Sequence, residues 1–359
     1  MIRVPAPSRC SRKPTRPAER RRKVNDAAVG LRHPSRYRGA VSETTVCPKP
    51  PKVVVVGSAN VDRVFRVVSI PAPGETVMST GTTTARGGKG QNQAVAAARA
   101  GASTTLICAV GDDEFGRLTR DGLSDDGIDT ALVRLVDAST GTALIAVDNS
   151  GENTVIVDAG ANAALIGLTK ADTTALRAAD VLVIQLEIPL DTVSAAARIG
   201  RAGNTTVILN AAPIQDLPAG LLADVDILVV NEHEAAHLSR GSSGRFDDSD
   251  GAAGNVDALA PVVIVTQGER GAVLHERGSN NIQVAAPRVT SADATGAGDT
   301  FCGALAAALA EGMRVETAVR FAVVAASLSV QRAGAVPSIP QRVTIDEALS
   351  TGNLGPDSA

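Results

Sequence analysis

From Lys52 onward, short valine-, isoleucine- and leucine-rich runs alternate with longer alanine-rich runs, and this alternation constrains the fold more than any other feature. Residues 52–57 hold four valines and then a glycine, the composition of a strand buried on both faces. Residues 104–110, 181–186, 205–210, 227–230 and 262–266 read as further strands. Between and after them, 91–100, 115–123, 190–203, 232–238, 300–309 and 315–330 read as helices. Strands alternating with helices predict an α/β fold with a parallel central sheet covered by helices on both faces. Two segments do not fit that sheet. Residues 62–86 are β-branched and broken by a Pro-Ala-Pro-Gly turn, and 142–158 carry a hairpin turn at Asn149-Ser150-Gly151. They predict a small β lid. Residues 272–276 and 282–285 read as a hairpin, and 240–255 as a Gly/Ser/Asp-rich surface loop. Aromatic residues make up only 2% of the chain, so the core must be built from Ala, Val, Leu and Ile.

The charge is unevenly distributed. Residues 1–50 carry thirteen Lys/Arg against three Asp/Glu, and the rest carries twenty-two against thirty-five. A basic stretch with seven prolines and no hydrophobic periodicity buries no core and is expected to be disordered. It fits a transit peptide, a nucleic-acid or membrane tether, or a translated upstream stretch with the natural start nearer Val41 or Val46. The last is preferred, because the fold pattern begins abruptly at Lys52. The expected organisation is this extension, one folded domain over 51–345 and a tail over 346–359. No apolar run reaches the roughly 18 residues a membrane span needs, which argues against a membrane partner. The acidic body argues against nucleic acid. Cys10, Cys47, Cys108 and Cys302 lack metal or disulfide spacing, which suggests a reducing, cytoplasmic setting.

Several polar clusters fall where strands end, the place where ligands collect in parallel α/β sheets. The sharpest is Asp293-Ala294-Thr295-Gly296-Ala297-Gly298-Asp299, followed by an apolar helical run. Small residues there let the backbone present several N–H groups together, and a helix start adds its positive end, so Gly296, Ala297 and Gly298 predict an anion site. Asp299 beside a bound phosphate would be unfavourable without a task, and accepting a proton from an attacking hydroxyl fits best. Neither a P-loop pattern nor a dinucleotide fingerprint is present. Ser58-Ala59-Asn60-Val61-Asp62 follows the first strand with groups able to bind polyol hydroxyls. In Gly87-Gly88-Lys89-Gly90-Gln91-Asn92-Gln93, three glycines bring backbone close to a ligand. Lys89 at a helix start is unfavourable without a bound anion or a carboxylate nearby. Asn231 and Glu234, three apart at a strand end, could face one ligand or form a helix cap. His233 and His237 have no third ligand in reach, so zinc is not expected. Thr266-Gln267-Gly268-Glu269-Arg270-Gly271 is a strand-end loop able to cradle a nucleotide.

Taken together, these segments resemble the ribokinase (PfkB) family of carbohydrate kinases, from about Val53 to Pro340 and in the family's order. The Gly-Gly-Lys-Gly-x-Asn-Gln and Asp-x-x-Gly-Ala-Gly-Asp segments carry the likeness. Gly151-Glu152-Asn153, Ala159-Gly160-Ala161-Asn162, Asn210-Ala211-Ala212-Pro213 and Asn231 to Glu234 agree with it. The resemblance implies a ribokinase-like fold and ATP-dependent phosphorylation of D-ribose at its 5-hydroxyl. It implies Asp299 as general base and a backbone anion hole at 295–298. Asn60, Val61, Asp62, Gly88, Lys89, Gly90, Asn92 and Glu152 would hold the sugar. Asn231, Thr266, Gln267, Gly268, Glu269, Arg270, Gly271, Gly298 and Val323 would line the nucleotide site, with Glu234 placing Mg2+ through water. Asp293, Thr295, Ser329, Arg332, Gly334 and Ser338 would hold an activating K+, and the lid would mediate a homodimer. Gln91 stands where the family commonly has Ala, Val323 where a polar residue often lines the adenine pocket, and residues 1–50 have no counterpart. Two other readings compete: a family member acting on another sugar or a nucleoside, and a catalytically silent sugar-binding protein. Residues 51–359 contain no Trp or Tyr, which disfavours stacking of a nucleoside base.

Overall fold

The computed structural model describes residues 50–243 and 256–351. The basic extension expected before Pro50, residues 244–255 of the expected loop, and the tail beyond Thr351 lie outside the described residues.

The strands are β1 (Lys52–Val56), β2 (Asn60–Arg66), β3 (Gly81–Gly87), β4 (Ser103–Gly111), β5 (Val133–Val136), β6 (Gly141–Val147), β7 (Asn153–Asp158), β8 (Val181–Ile184), β9 (Thr206–Asn210), β10 (Ile227–Asn231), β11 (Val262–Thr266), β12 (Ala272–Glu276) and β13 (Ile282–Val284). The helices are α1 (Lys89–Arg99), α2 (Glu114–Asp125), α3 (Lys170–Ala178), α4 (Leu190–Ala202), α5 (Glu232–Ser243), α6 (Ala297–Ala310), α7 (Val315–Ser329), α8 (Ala335–Ser338) and α9 (Arg342–Thr351).

Nine strands form one sheet in the order β13-β12-β11-β10-β9-β8-β1-β4-β5, parallel from β11 to β5 and antiparallel across β11, β12 and β13. The valines of β1 show how the sheet is buried. Val53 and Val55 join a core built with alanines of α1, α6 and α7, while Val54 and Val56 join a second core against α3 and α4. The expected doubly covered parallel sheet is therefore present. The second sheet, β3-β2-β6-β7, is the expected lid. β2 and β6 pair in parallel, whereas β6 and β7 form the hairpin marked by Asn149-Ser150-Gly151.

Three boundaries differ from the sequence reading. α6 begins at Ala297, so Gly298 and Asp299 lie within its first turn. α5 continues through residues 240–243, so the expected loop begins later. α9 runs to Thr351 and seats Ile345 and Ala348 in the core, so part of the expected tail is packed helix.

Scarcity of aromatics has a geometric result. Where α6 crosses α1, a Cβ on Gly303 would stand 2.4 Å from the Gln93 carbonyl oxygen and 2.5 Å from Ala96 Cβ. Small residues let the two helices approach this closely, and their N-terminal turns meet at the same end.

Candidate active site

Asp299 sits in the first turn of α6, buried, against the start of α1. Asn92 Nδ2 donates to its Oδ2 at 2.9 Å and Gln93 Nε2 to its Oδ1 at 2.9 Å. Gln93 also donates to Asn210 Oδ1 at 3.0 Å and accepts from Gln185 Nε2 at 2.6 Å. The carboxyl group is thus held at a fixed angle by two amides. Burial raises its pKa above the ordinary carboxylate range, against the opposing pull of Lys89 and the two amides, with Glu187 adding to the rise.

The two glycine-flanked helix starts look alike in sequence and behave differently. At α6 the cap is Gly296, in the left-handed conformation at φ 74° with no side-chain cap, so Asp299 is not the N-cap. Among the described residues no group accepts from the Gly298 or Asp299 N–H. A Cβ on Gly298 would meet nothing within 4 Å. This helix end faces open space with free donors, an arrangement able to accept an anion. At α1 the first-turn donors are spent. Lys89 N donates to Glu187 Oε2 at 2.9 Å, Gly90 N lies 3.3 Å from Ser58 Oγ, and Gln91 N donates to Ser58 O at 2.8 Å. Lys89 is therefore offset by carboxylates. Burial alone would lower its pKa, but Asp299, Glu187 and Glu234 outweigh that and hold it above its usual value. Its ammonium has no hydrogen-bond or ion-pair partner among the described residues.

The glycines of the 87–90 segment are spatial requirements. A Cβ on Gly87 would lie 2.2 Å from Asp62 Oδ2, one on Gly88 (φ 87°) 2.7 Å from the Asn60 nitrogen, and one on Gly90 2.6 Å from the backbone of Gly57 and Ser58. They press α1 onto the Asn60–Asp62 strand. Asn60 and Asp62 share one face of β2, and Val61 alternates to the other, where it is fully buried. The Val61 side chain is thus part of the packing, and only its backbone faces the side of Asn60 and Asp62. Asn162 fixes Asn60: its Oδ1 accepts from Ala59 N at 2.9 Å and its Nδ2 donates to Asn60 Oδ1 at 2.6 Å. Burial, then Glu187, then Asp299 push the Asp62 carboxyl up to about 6. Gln91 donates to the carbonyls of Asn60 (3.2 Å) and Gly87 (2.6 Å), joining the roots of β2 and β3. Glu152 stands apart, exposed at the β6–β7 turn.

On the other side of Gly298 opens a cavity of about 710 Å³. Thr266, Gly268, Glu269, Arg270, Gly271, Val323 and Gly298 line it. Asn231 and Gln267 do not line it. Arg270 pairs with Glu232 at its edge. Asn231 and Glu234 form a reciprocal helix cap: Glu234 N donates to Asn231 Oδ1 and Asn231 N to Glu234 Oε2, both at 2.8 Å. Glu234 Oε1 and the Asn231 amide nitrogen have no partner among the described residues. Burial raises the Glu234 pKa, with the Asn231 N–H, Lys89 and His233 acting against it.

Asp293 braces the loop before α6. Its Oδ1 accepts from Thr295 N at 2.9 Å and its Oδ2 from Gly334 N at 2.8 Å. Burial alone would raise its pKa; these bonds and the charge of Arg66 hold it below the usual range. Gly296 packs against Ala335, so the 293–296 and 334–338 segments lie together. Ser329 and Ser338 are buried, with their hydroxyls donating to Ala326 O and Ala335 O, and Arg332 is exposed. Among the described residues no group of three or more His, Cys, Asp or Glu side chains could hold a metal ion.

Sequence reading did not single out Glu187, Asn162 and Gln185. Gln93 and Asn162 lie inside quoted motifs, and Glu187 follows the end of β8, a strand-end position that could have flagged it.

Comparison with known proteins places the chain in a family. The family model for pfkB family carbohydrate kinases matches residues 50–342. A ribokinase from Schizosaccharomyces pombe is 36% identical over 315 residues, covering 83% of this chain and 98% of its own. A ribokinase from Haemophilus influenzae is 38% identical over 294 residues, covering 81% and 95%. The solved structure of Arabidopsis thaliana ribokinase complexed with ribose and ATP superposes with a TM-score of 0.77 at 33% identity, over 84% of this chain and 99% of that one.

Proposed function

The chain belongs to the pfkB family of carbohydrate kinases, and from that premise we propose that it transfers the terminal phosphoryl group of ATP to the 5-hydroxyl of D-ribose. One observation carries the reading: a buried carboxylate, oriented by two amides, lies in the first turn of a helix whose own N–H groups are free. Phosphoryl transfer needs positioning and charge neutralisation more than covalent help. Asp299, its basicity raised by burial, takes the proton of the attacking hydroxyl. The Gly298 and Asp299 N–H groups and the Lys89 ammonium meet the charge of the group in transit. Asn60, Asp62, Gly88, Gly90 and Asn92 hold the sugar on the other side of Asp299, and Glu152 would reach it only from the lid.

ATP lies in the cavity beyond Gly298. The unpartnered oxygen of Glu234, in the field of Lys89, would hold through water a magnesium ion carried by the ATP phosphates, which would neutralise part of their charge. The Asp293 loop and the 329–338 segment offer oxygen atoms of the kind a monovalent cation prefers, so potassium activation is part of the proposal. β7 is an edge strand exposed along its whole length and carries Val155, Ile156 and Val157. An exposed apolar edge supports homodimerisation through the lid. No helix among the described residues is long and apolar enough to cross a membrane, and Cys108 and Cys302 are free and buried; both fit a cytoplasmic setting.

The test is ADP release with ATP, magnesium and potassium, comparing D-ribose, 2-deoxy-D-ribose, fructose, adenosine and no acceptor. Ribose should stimulate release well above the others. Preference for another acceptor would retain the chemistry and refute the sugar.

A further inference from the structure

Glu187 lies just beyond β8, next to β1 in the sheet, and is half-buried. Its Oε2 accepts two hydrogen bonds, from the Ser58 hydroxyl at 2.6 Å and from the Lys89 N–H at 2.9 Å. Ser58 is fully buried, and its hydroxyl oxygen faces the Gly90 N–H while its carbonyl takes the Gln91 N–H. Two strand ends therefore hold three successive N–H groups of α1. The preceding Gly88 has no side chain with which to cap the helix. A remote carboxylate does the capping, 98 residues away in sequence.

A neutral acceptor could satisfy both donors. The charge needs a separate reason, because it repels Asp62 and Asp299 and raises the pKa of each. Lys89 supplies that reason: it is a half-buried cation placed at the positive end of its own helix, without an ion-pair partner among the described residues. Glu187 offsets that charge from the helix end and leaves the ammonium free to turn toward Asp299.

We propose that Glu187 is a positioning residue for sugar phosphorylation: by gripping Ser58 and the Lys89 N–H, it sets the Gly88–Asn92 segment so that the Lys89 ammonium and the Asn92 amide converge on Asp299. This rests on the sugar-kinase reading. The ionisable groups sharing this field are Asp62 on β2, Lys89 on α1, Glu234 on α5, and Asp299 and Cys302 on α6.

Full-length Glu187→Ala and Glu187→Gln are compared with the parent by ribose kinetics, nucleotide-binding calorimetry and thermal unfolding. Glu187→Ala loses two hydrogen bonds to a charged acceptor and should lower kcat/KM for ribose at least about tenfold. Its nucleotide affinity should stay within about twofold, since the cavity is built by other elements. Glu187→Gln keeps an acceptor and should recover part of the loss. With a repelling charge gone from beside Asp62, the acid limb of its ribose-binding profile should move to lower pH. Unchanged ribose kinetics in Glu187→Ala would overturn the proposal. So would equal losses of ribose and nucleotide binding alongside a lowered Tm, the pattern of a purely structural residue. Should the alanine variant not fold, an unmoved acid limb in Glu187→Gln overturns it. A parent protein with no acceptor-dependent ADP release would instead refute the sugar-kinase reading.

Discussion

Gly298→Ala should move stability and activity in opposite directions. Gly298 lies in the first turn of α6, its φ is not in the left-handed region, and an added Cβ meets no protein atom within 4 Å. Alanine is favoured over glycine in a helix interior by about 1 kcal/mol, less near an end, so the variant should be as stable as the parent or more stable by about 0.5–1 kcal/mol. In a domain of this size that is a rise in Tm of roughly 1–3 °C. In the proposed mechanism the same methyl group would enter the open space beside the free Gly298 and Asp299 N–H groups, where the phosphoryl group would stand. Blocking access to such donors should cost on the order of what removing one costs, about a hundred- to a thousandfold in kcat, or about 2.7–4 kcal/mol. Thermal unfolding by circular dichroism and a coupled ADP assay read the two effects separately. Turnover within about threefold of the parent would show that this space is not used by the transferring group. A fall in Tm of several degrees would show that the glycine serves the fold.

Gly90→Ala should behave in the opposite way: its Cβ would press on backbone atoms of Gly57 and Ser58 at 2.6 Å, neither of which can swing aside. Overpacking of this kind costs about 1–3 kcal/mol, so denaturant titration should show a loss in that range or beyond. Ribose affinity should depend on pH through Asp62. Its pKa is raised to about 6, and the ionised form accepts hydroxyl bonds, so calorimetry should show binding at full strength at pH 7.5 and weakening as pH falls through about 6; a flat profile from pH 5 to 8 would contradict this. The sign for stability is the reverse, because a raised carboxyl pKa favours the protonated fold and its penalty appears as pH rises from 3.8 toward 6. Ile156→Asp places a charge on the exposed edge of the lid, and analytical ultracentrifugation should show the proposed dimer for the parent and monomer for the variant, with an unchanged Tm.

Much of the fold was legible because both its periods are strong. The four valines of β1 and the alanine runs of α1, α6 and α7 leave little choice of secondary structure, and the Asn149-Ser150-Gly151 turn fixed the lid hairpin. The candidate site was legible where a single segment carries the proposed chemistry, as at Asp299 with its glycines. Ambiguity lay where a role depends on a remote partner. Lys89 beside its glycines predicts a neighbouring anion or carboxylate, and nothing in its own stretch says which. Asp299 supplies part of the answer and Glu187, just beyond β8, another part; only the sheet order β8-β1-β4 brings Glu187 beside Ser58. The same holds for Asn162 and Gln185, which hydrogen-bond Asn60 and Gln93. Val61 was drawn in by its neighbours in the motif, although strand alternation turns its side chain away from them. Asn231 and Glu234 could be read as a cap or as ligands; the structure shows the cap, with one oxygen of Glu234 left over.

The central claim is that Asp299 takes the hydroxyl proton while the free end of α6 holds the phosphoryl group. Asp299→Asn tests it most directly, with single-turnover phosphoryl transfer measured beside ribose and nucleotide binding. The account predicts a loss of at least about a hundredfold in the transfer step, with both ligands still bound within a few-fold of the parent. Transfer at near-parental rate in a folded, ligand-binding variant would contradict it.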